Sequence, residues 1–106
     1  MSLLRLALLA ACLSGPVAQA EELDSARQAE LGNLLRQDCG SCHGLRLTGG
    51  LGPALTREAL AGKPRESLIA TVRHGRPGTA MPGWEGLLDE ADIAWLIDRL
   101  TEGNPQ

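Results

Sequence analysis

Two cysteines two residues apart, with a histidine directly after the second, constrain this chain more than anything else in it. Cys39-Gly40-Ser41-Cys42-His43 is C-x-x-C-H, the attachment signature of a c-type haem. The spacing answers to the chemistry. Two thiols add across the vinyl groups of adjacent pyrroles, about one helical turn bridges them, and the next imidazole lies under the iron as an axial ligand. Three other uses of these residues compete. A structural disulfide suits an exported chain, but tight C-x-x-C loops are usually redox-active. A thioredoxin-type dithiol needs a βαβ pattern, and no strand pattern is visible. Zinc needs four ligands, leaving only Cys39, Cys42, His43 and His74 in a spacing that matches no zinc finger. Covalent haem c, one per chain, is the expected cofactor.

The third cysteine, Cys12, falls in a segment of another kind. Arg5 and the amino terminus are positive, residues 6–13 are apolar, and Ala18-Gln19-Ala20 is an A-x-A cleavage site before Glu21. Residues 1–20 therefore read as a signal peptide and 21–106 as one domain. A first core helix is the plain alternative, but Gly15-Pro16 would break it. Leu9-Ala10-Ala11-Cys12 also reads as a lipobox, which would make Cys12 a lipid anchor. Either export route takes the protein out of the cytoplasm, and the periplasm is the expected location. No later apolar run reaches 18 residues, so no transmembrane span is expected. Removing 20 of the 106 residues leaves a chain short enough to need a staple. Phe and Tyr are absent and Trp occurs twice, so haem must supply bulk at the centre. A monomer is expected.

The other side of the iron calls for a second ligand. Past the signal, Met81 is the only methionine, set in Gly78-Thr79-Ala80-Met81-Pro82-Gly83-Trp84. A lone Met at helical spacing is more often core filler, whereas one in a Gly/Pro loop is more often a ligand. His74 is the rival. It closes a helical stretch before Gly75, where a histidine is commonly a solvated residue favoured by the helix dipole. An open sixth position is the third possibility.

The coarse fold is all-α, about four short helices. Asp24 or Ser25 caps a helix over 24–38 with Ala26, Ala29, Leu31, Leu34 and Leu35 on one face. Gly32 costs roughly 1 kcal/mol against Ala there, which suggests close approach by another helix. A short helix is predicted over 56–61, and another over 65–74 after Pro64, burying Leu68, Ile69 and Val72. Asp89, with Asp92 three residues on, caps a last helix carrying Ile93, Leu96, Ile97 and Leu100.

With these pieces in order, residues 23–102 resemble class I cytochrome c. The resemblance rests on a helix into C-x-x-C-H, Gly52-Pro53-Ala54-Leu55, the Met81 loop and the last helix. It implies that Pro53 lends its carbonyl to the ring nitrogen of His43 remote from the iron. It also implies that the first and last helices cross with Trp95 at the contact. Two departures stand out: Gly32 lies seven rather than eight residues before the first Cys, and Leu35 occupies the usual aromatic position. Asp38–Gly44, the Gly49–Leu55 run and Arg73–Pro82 further resemble small periplasmic cytochromes found with cd-type nitrite reductase. That group is thought to donate electrons to the reductase or to assist its d-type haem.

His43 and Met81 together would fill both axial positions. That implies a one-electron carrier rather than an enzyme, in periplasmic respiration and within it nitrite reduction. A haem-based sensor, a haem-maturation accessory and a small peroxidase are the competing classes. With Arg5 removed, nine basic and thirteen acidic side chains give a net charge of −4. Residues 63–76 are net +3 and residues 85–102 net −5. Arg73 and Arg76 are therefore expected to meet an acidic redox partner, with the acidic last helix (Asp92, Asp98) packed behind. No basic stripe with interleaved aromatics exists, so nucleic acid is not an expected partner.

Overall fold

The computed structural model describes residues 22–103, together with Gly15. The signal segment and the Cys12 lipobox lie outside the described residues. Helix α1 (Ser25–Leu34) runs directly into a π-helical turn (Leu35–Cys39) and then α2 (Gly40–His43). Three more helices follow: α3 (Arg57–Leu60), α4 (Arg65–His74) and α5 (Glu90–Thr101). Among the described residues there is no strand, only an isolated bridge between Glu85 and Leu88.

The helix ends follow local chemistry. The Arg27 N–H donates to the Asp24 carboxylate at 2.7 Å, and the Ala59 N–H to the Thr56 hydroxyl at 3.2 Å. Asp89 and Asp92 close a reciprocal capping box on α5, satisfying two orphan donors at once. The first helix does not stop near Asp38 as its pattern predicts. The chain stays helical through His43 by widening one turn into a π-helix, a distortion that side-chain periodicity does not register and that often marks functional sites.

The core is aliphatic throughout. Leu31 and Leu35 are fully buried, joined by Ile93, Leu96, Ile97 and Leu100 from α5 and by Leu47, Leu60, Ile69 and Leu88. Each such side chain contributes roughly 1.5–3 kcal/mol by leaving water. Ala26 and Ala29 are exposed instead, so the buried stripe of α1 is narrower than its pattern suggested. Helix α5 is the hub, touching α1, α3 and α4.

Gly32 does not behave as expected. It is buried, but a Cβ built there would meet only Arg36 Nη1, at 3.6 Å. Gly32, Trp95 and Arg99 border an open concavity of about 310 Å3. Trp95 thus faces α1 across a gap, with the Arg99 guanidinium 5.6 Å over its ring.

What pins α1 to α5 is charge. Asp92, only 2% exposed, accepts two hydrogen bonds from Arg27, at 3.0 and 2.7 Å. Arg65 of α4 grips Asp98 of α5 in the same two-pronged manner, at 2.7 and 3.0 Å. Asp92 and Asp98, expected on a last helix packed behind the docking face, are each engaged by an arginine of another helix. Arg73 is engaged too, 3.3 Å from Glu90.

Candidate haem site

The C-x-x-C-H residues sit where the long helical run ends. Cys39 is half-buried against the core and Cys42 is likewise half-buried. Both are free thiols rather than a disulfide. Burial, and then the neighbouring Asp38 charge, push the Cys39 thiol up to about 11, so it is a neutral thiol at ordinary pH. Ser41 ties the turn together by donating its hydroxyl to the Asp38 carbonyl at 2.8 Å.

His43 is held from its far side. Its Nδ1 lies 2.7 Å from the Pro53 carbonyl. A carbonyl can only accept, so the ring donates from Nδ1 and keeps its Nε2 lone pair for a metal. Backbone bonds fasten the loop that brings Pro53 there: the Gly49 N–H donates to the His43 carbonyl and the Gly52 N–H to the Cys42 carbonyl, both at 2.8 Å. Gly52 lies flat against the imidazole. A Cβ at this position would come within 2.8 Å of His43 Cε1 and Nδ1, closer than any side chain can approach. Loop 44–55 also carries Leu47, buried and at φ 58°, an uncommon conformation for a branched side chain.

Met81 belongs to a second unit, the loop between α4 and α5. Its N–H donates to the Thr79 hydroxyl at 3.2 Å, and its carbonyl accepts the Arg76 N–H at 3.1 Å. The loop is folded back on α4. Trp84 N–H donates to the Val72 carbonyl and Glu85 N–H to the Arg73 carbonyl. Gly75, at φ +68°, permits the approach, since a Cβ there would fall 2.6 Å from the Met81 carbonyl oxygen. His74 is turned to solvent, its side chain 60% exposed and its Nδ1 3.6 Å from the Glu85 carboxylate.

These residues fit a covalently bound haem. Two separate thiols are available for thioethers, and an imidazole is oriented through its remote nitrogen. Leu55, Leu68, Val72 and Trp84 rest on the core while staying partly exposed, as apolar side chains bordering a planar ligand would. Zinc donors do not come together: no group of three or more His, Cys, Asp or Glu side chains converges among the described residues. Sequence reading missed Gly52 and Thr79. Neither carries a chemical group that marks a site, and their roles arise from what folds against them.

The family model described as "Cytochrome C oxidase, cbb3-type, subunit III" matches residues 26–98. Cytochrome c55X of Stutzerimonas stutzeri is 72% identical over 98 residues, covering 92% of this chain and 87% of its own. Among solved structures, a c-type cytochrome NirC superimposes with a TM-score of 0.77 at 70% identity, over 78% of this chain and 98% of that one. A dihydro-heme d1 dehydrogenase NirN, solved in complex with DHE, matches at a TM-score of 0.64 and 38% identity, over 72% of this chain but 16% of that one. Its cytochrome-like portion is thus a small part of a larger protein. Given the C-x-x-C-H turn, the all-α frame and these relatives, the chain belongs to the class I c-type cytochromes of the cytochrome c55X family, with haem c as its cofactor.

Proposed function

We propose that this protein is a one-electron carrier whose haem is joined to Cys39 and Cys42 and ligated axially by His43 and Met81. The reading extends to periplasmic nitrite respiration, with a cd-type nitrite reductase as redox partner. It includes cleavage of residues 1–20 on export. The bound haem supplies reversible one-electron chemistry at iron; the chain tunes and insulates it. His43 presents Nε2 because Pro53 holds Nδ1. That hydrogen bond also makes the imidazole a better donor. Met81 supplies a thioether, which raises the reduction potential relative to a second histidine.

The observation that carries the reading is the backbone of Met81, pinned at both its N–H and its carbonyl within a loop docked on α4. A sixth ligand held this firmly leaves no easy position for a substrate, which argues for a carrier and against a peroxidase or gas sensor. His74, exposed and beside Glu85, is poorly set to compete.

Met81→Ala should open the iron, lower the potential and allow carbon monoxide to bind the ferrous form, while His74→Ala should change none of these. Loss of the sulfur-to-iron absorbance band in His74→Ala, or its persistence in Met81→Ala, overturns the assignment. A second reading, accessory to maturation of a partner's d-type haem, draws support from the likeness to a dihydro-heme d1 dehydrogenase. The rates of electron transfer from this protein to purified reductase, and to this protein from purified dehydrogenase supplied with its substrate, separate the two.

A further inference from the structure

Leu47 stands in a conformation that every other non-glycine residue avoids among the described residues: its φ is 58°. In that left-handed region a Cβ crowds the following carbonyl oxygen, whereas glycine sits there without cost to its side chain. The neighbouring Gly44 and Gly49 do so, at φ 95° and 116°. What leucine adds at this position is its side chain, which is 3% exposed and part of the aliphatic core. Leu60 and Leu88 join the same core without a positive φ. Burial alone therefore does not require the strained backbone.

The two backbone groups of Leu47 say what the turn is for. Its N–H donates to the carbonyl of Gly44, the residue after His43, and its carbonyl accepts the N–H of Leu55, two residues past Pro53; both bonds are 2.8 Å. Leu47 thus clasps both ends of the loop that curls over the imidazole and brings the Pro53 carbonyl within 2.7 Å of Nδ1. Gly49 and Gly52 fasten the loop to His43 and Cys42, but neither bond reaches past Pro53. A return to an ordinary helical φ would turn the Leu47 carbonyl through roughly 120° about its N–Cα bond, away from Leu55. We infer that Leu47 is a positioning residue for His43: its burial holds a strained turn whose geometry fixes the Pro53 bond and, through that bond, the reduction potential. This deepens the carrier reading above and rests on His43 as an iron ligand. Strain that the surrounding packing maintains is concentrated at functional sites. The bond at Nδ1 makes the imidazole a stronger donor, and a stronger donor favours the more positive ferric iron. A looser bond should therefore raise the potential.

The test uses the haem-loaded protein and three readouts: Tm, the reduction potential, and solvent exchange of the His43 Nδ1 proton in the ferrous protein by nuclear magnetic resonance. Leu47→Ala and Leu47→Gly both lose the buried side chain, and both should melt below the wild type. They differ only in the Cβ. Alanine, without its anchor in the core, should leave the left-handed turn, speed the exchange at least about threefold, within what one neutral hydrogen bond is worth, and raise the potential. Glycine holds the turn without strain and should keep both of these readouts at the wild-type value. Leu47→Ile preserves volume but branches at Cβ, which a positive φ tolerates poorly. It should follow alanine, and it carries the comparison with glycine if the alanine variant takes up no haem. Equal potentials and exchange rates in the alanine and glycine variants, a shift with glycine alone, or wild-type values in Leu47→Ile overturn the inference and leave Leu47 as core filler. Wild-type His43 ring protons that lack the large ring-current shift of a residue under a haem overturn the ligand assignment above, and this inference with it.

Discussion

Asp92 and Asp98 sit on the same helix, and each is gripped through two hydrogen bonds by an arginine from another helix. They differ in burial: the Asp92 side chain is 3% exposed and that of Asp98 is 42% exposed. Replacing each with alanine should therefore give very different losses. Asp92→Ala removes charge-assisted hydrogen bonds worth about 1.5–3 kcal/mol. It also removes the acceptor for the Asp89 N–H in the capping box, a further 0.5–1 kcal/mol or so. Arg27 stays wet enough to recover solvation, which keeps the expected total near 2–3 kcal/mol, a fall in Tm of roughly 10–20 °C for a domain of this size. Asp98→Ala, at an exposed pair, should cost no more than about 1 kcal/mol. The assay is thermal unfolding of the ferric holoprotein followed by far-ultraviolet circular dichroism. Acid supplies a second readout. Arg27 holds the Asp92 carboxyl below the usual carboxylate range, against the opposing effect of burial. The stabilisation is therefore complete above the unfolded-state pKa of about 3.9 and is lost as pH falls through the lower folded-state value. The wild type should lose more stability in that window than Asp92→Ala does. Equal losses for the two alanine variants, or a cost below about 0.5 kcal/mol at Asp92, would refute the claim that burial of this pair ties α1 to α5.

Other outcomes follow from the site. Cys39→Ala with Cys42→Ala should leave a largely unfolded chain, because the ten buried aliphatic side chains among the described residues make a small core for independent folding without haem; a cooperative helical melt of that variant counts against it. Gly52→Ala forces a methyl into the His43 ring, 2.8 Å away. It should cost about 2 kcal/mol by overpacking and disturb the Nδ1 bond to Pro53, visible as altered imidazole resonances. Thr79→Val should cost about 1 kcal/mol by removing the hydroxyl that accepts the Met81 N–H, and the sulfur-to-iron band should then fade at lower temperature than in the wild type.

How much was legible beforehand depended on how far apart the interacting groups lie. C-x-x-C-H is a local pattern, since the haem itself requires two thiols and an imidazole within one turn. The helices were legible for the same reason: Asp24, Thr56 and Asp89 act on N–H groups three residues away. The aliphatic periodicity of α5 likewise marks its buried side directly.

Long-range pairing left no such trace. Arg27 and Asp92 are 65 residues apart, and nothing near either one distinguishes a buried ion pair from two solvated charges. Net charge by segment consequently could not show that Asp92 and Asp98 are engaged by Arg27 and Arg65. The π-helical turn at Leu35–Cys39 escaped because side-chain periodicity scarcely changes when one turn widens. Gly52 and Gly75 have no side chain to signal what presses against them. Sequence by itself determined the cofactor and the helical class, because each depends on residues close along the chain, and it singled out His43 and Met81 as candidate ligands from the local motif around each. Only the tertiary structure decided which charges remain free, which glycines are indispensable and which leucine holds a positive φ, because those depend on what the folded chain brings alongside.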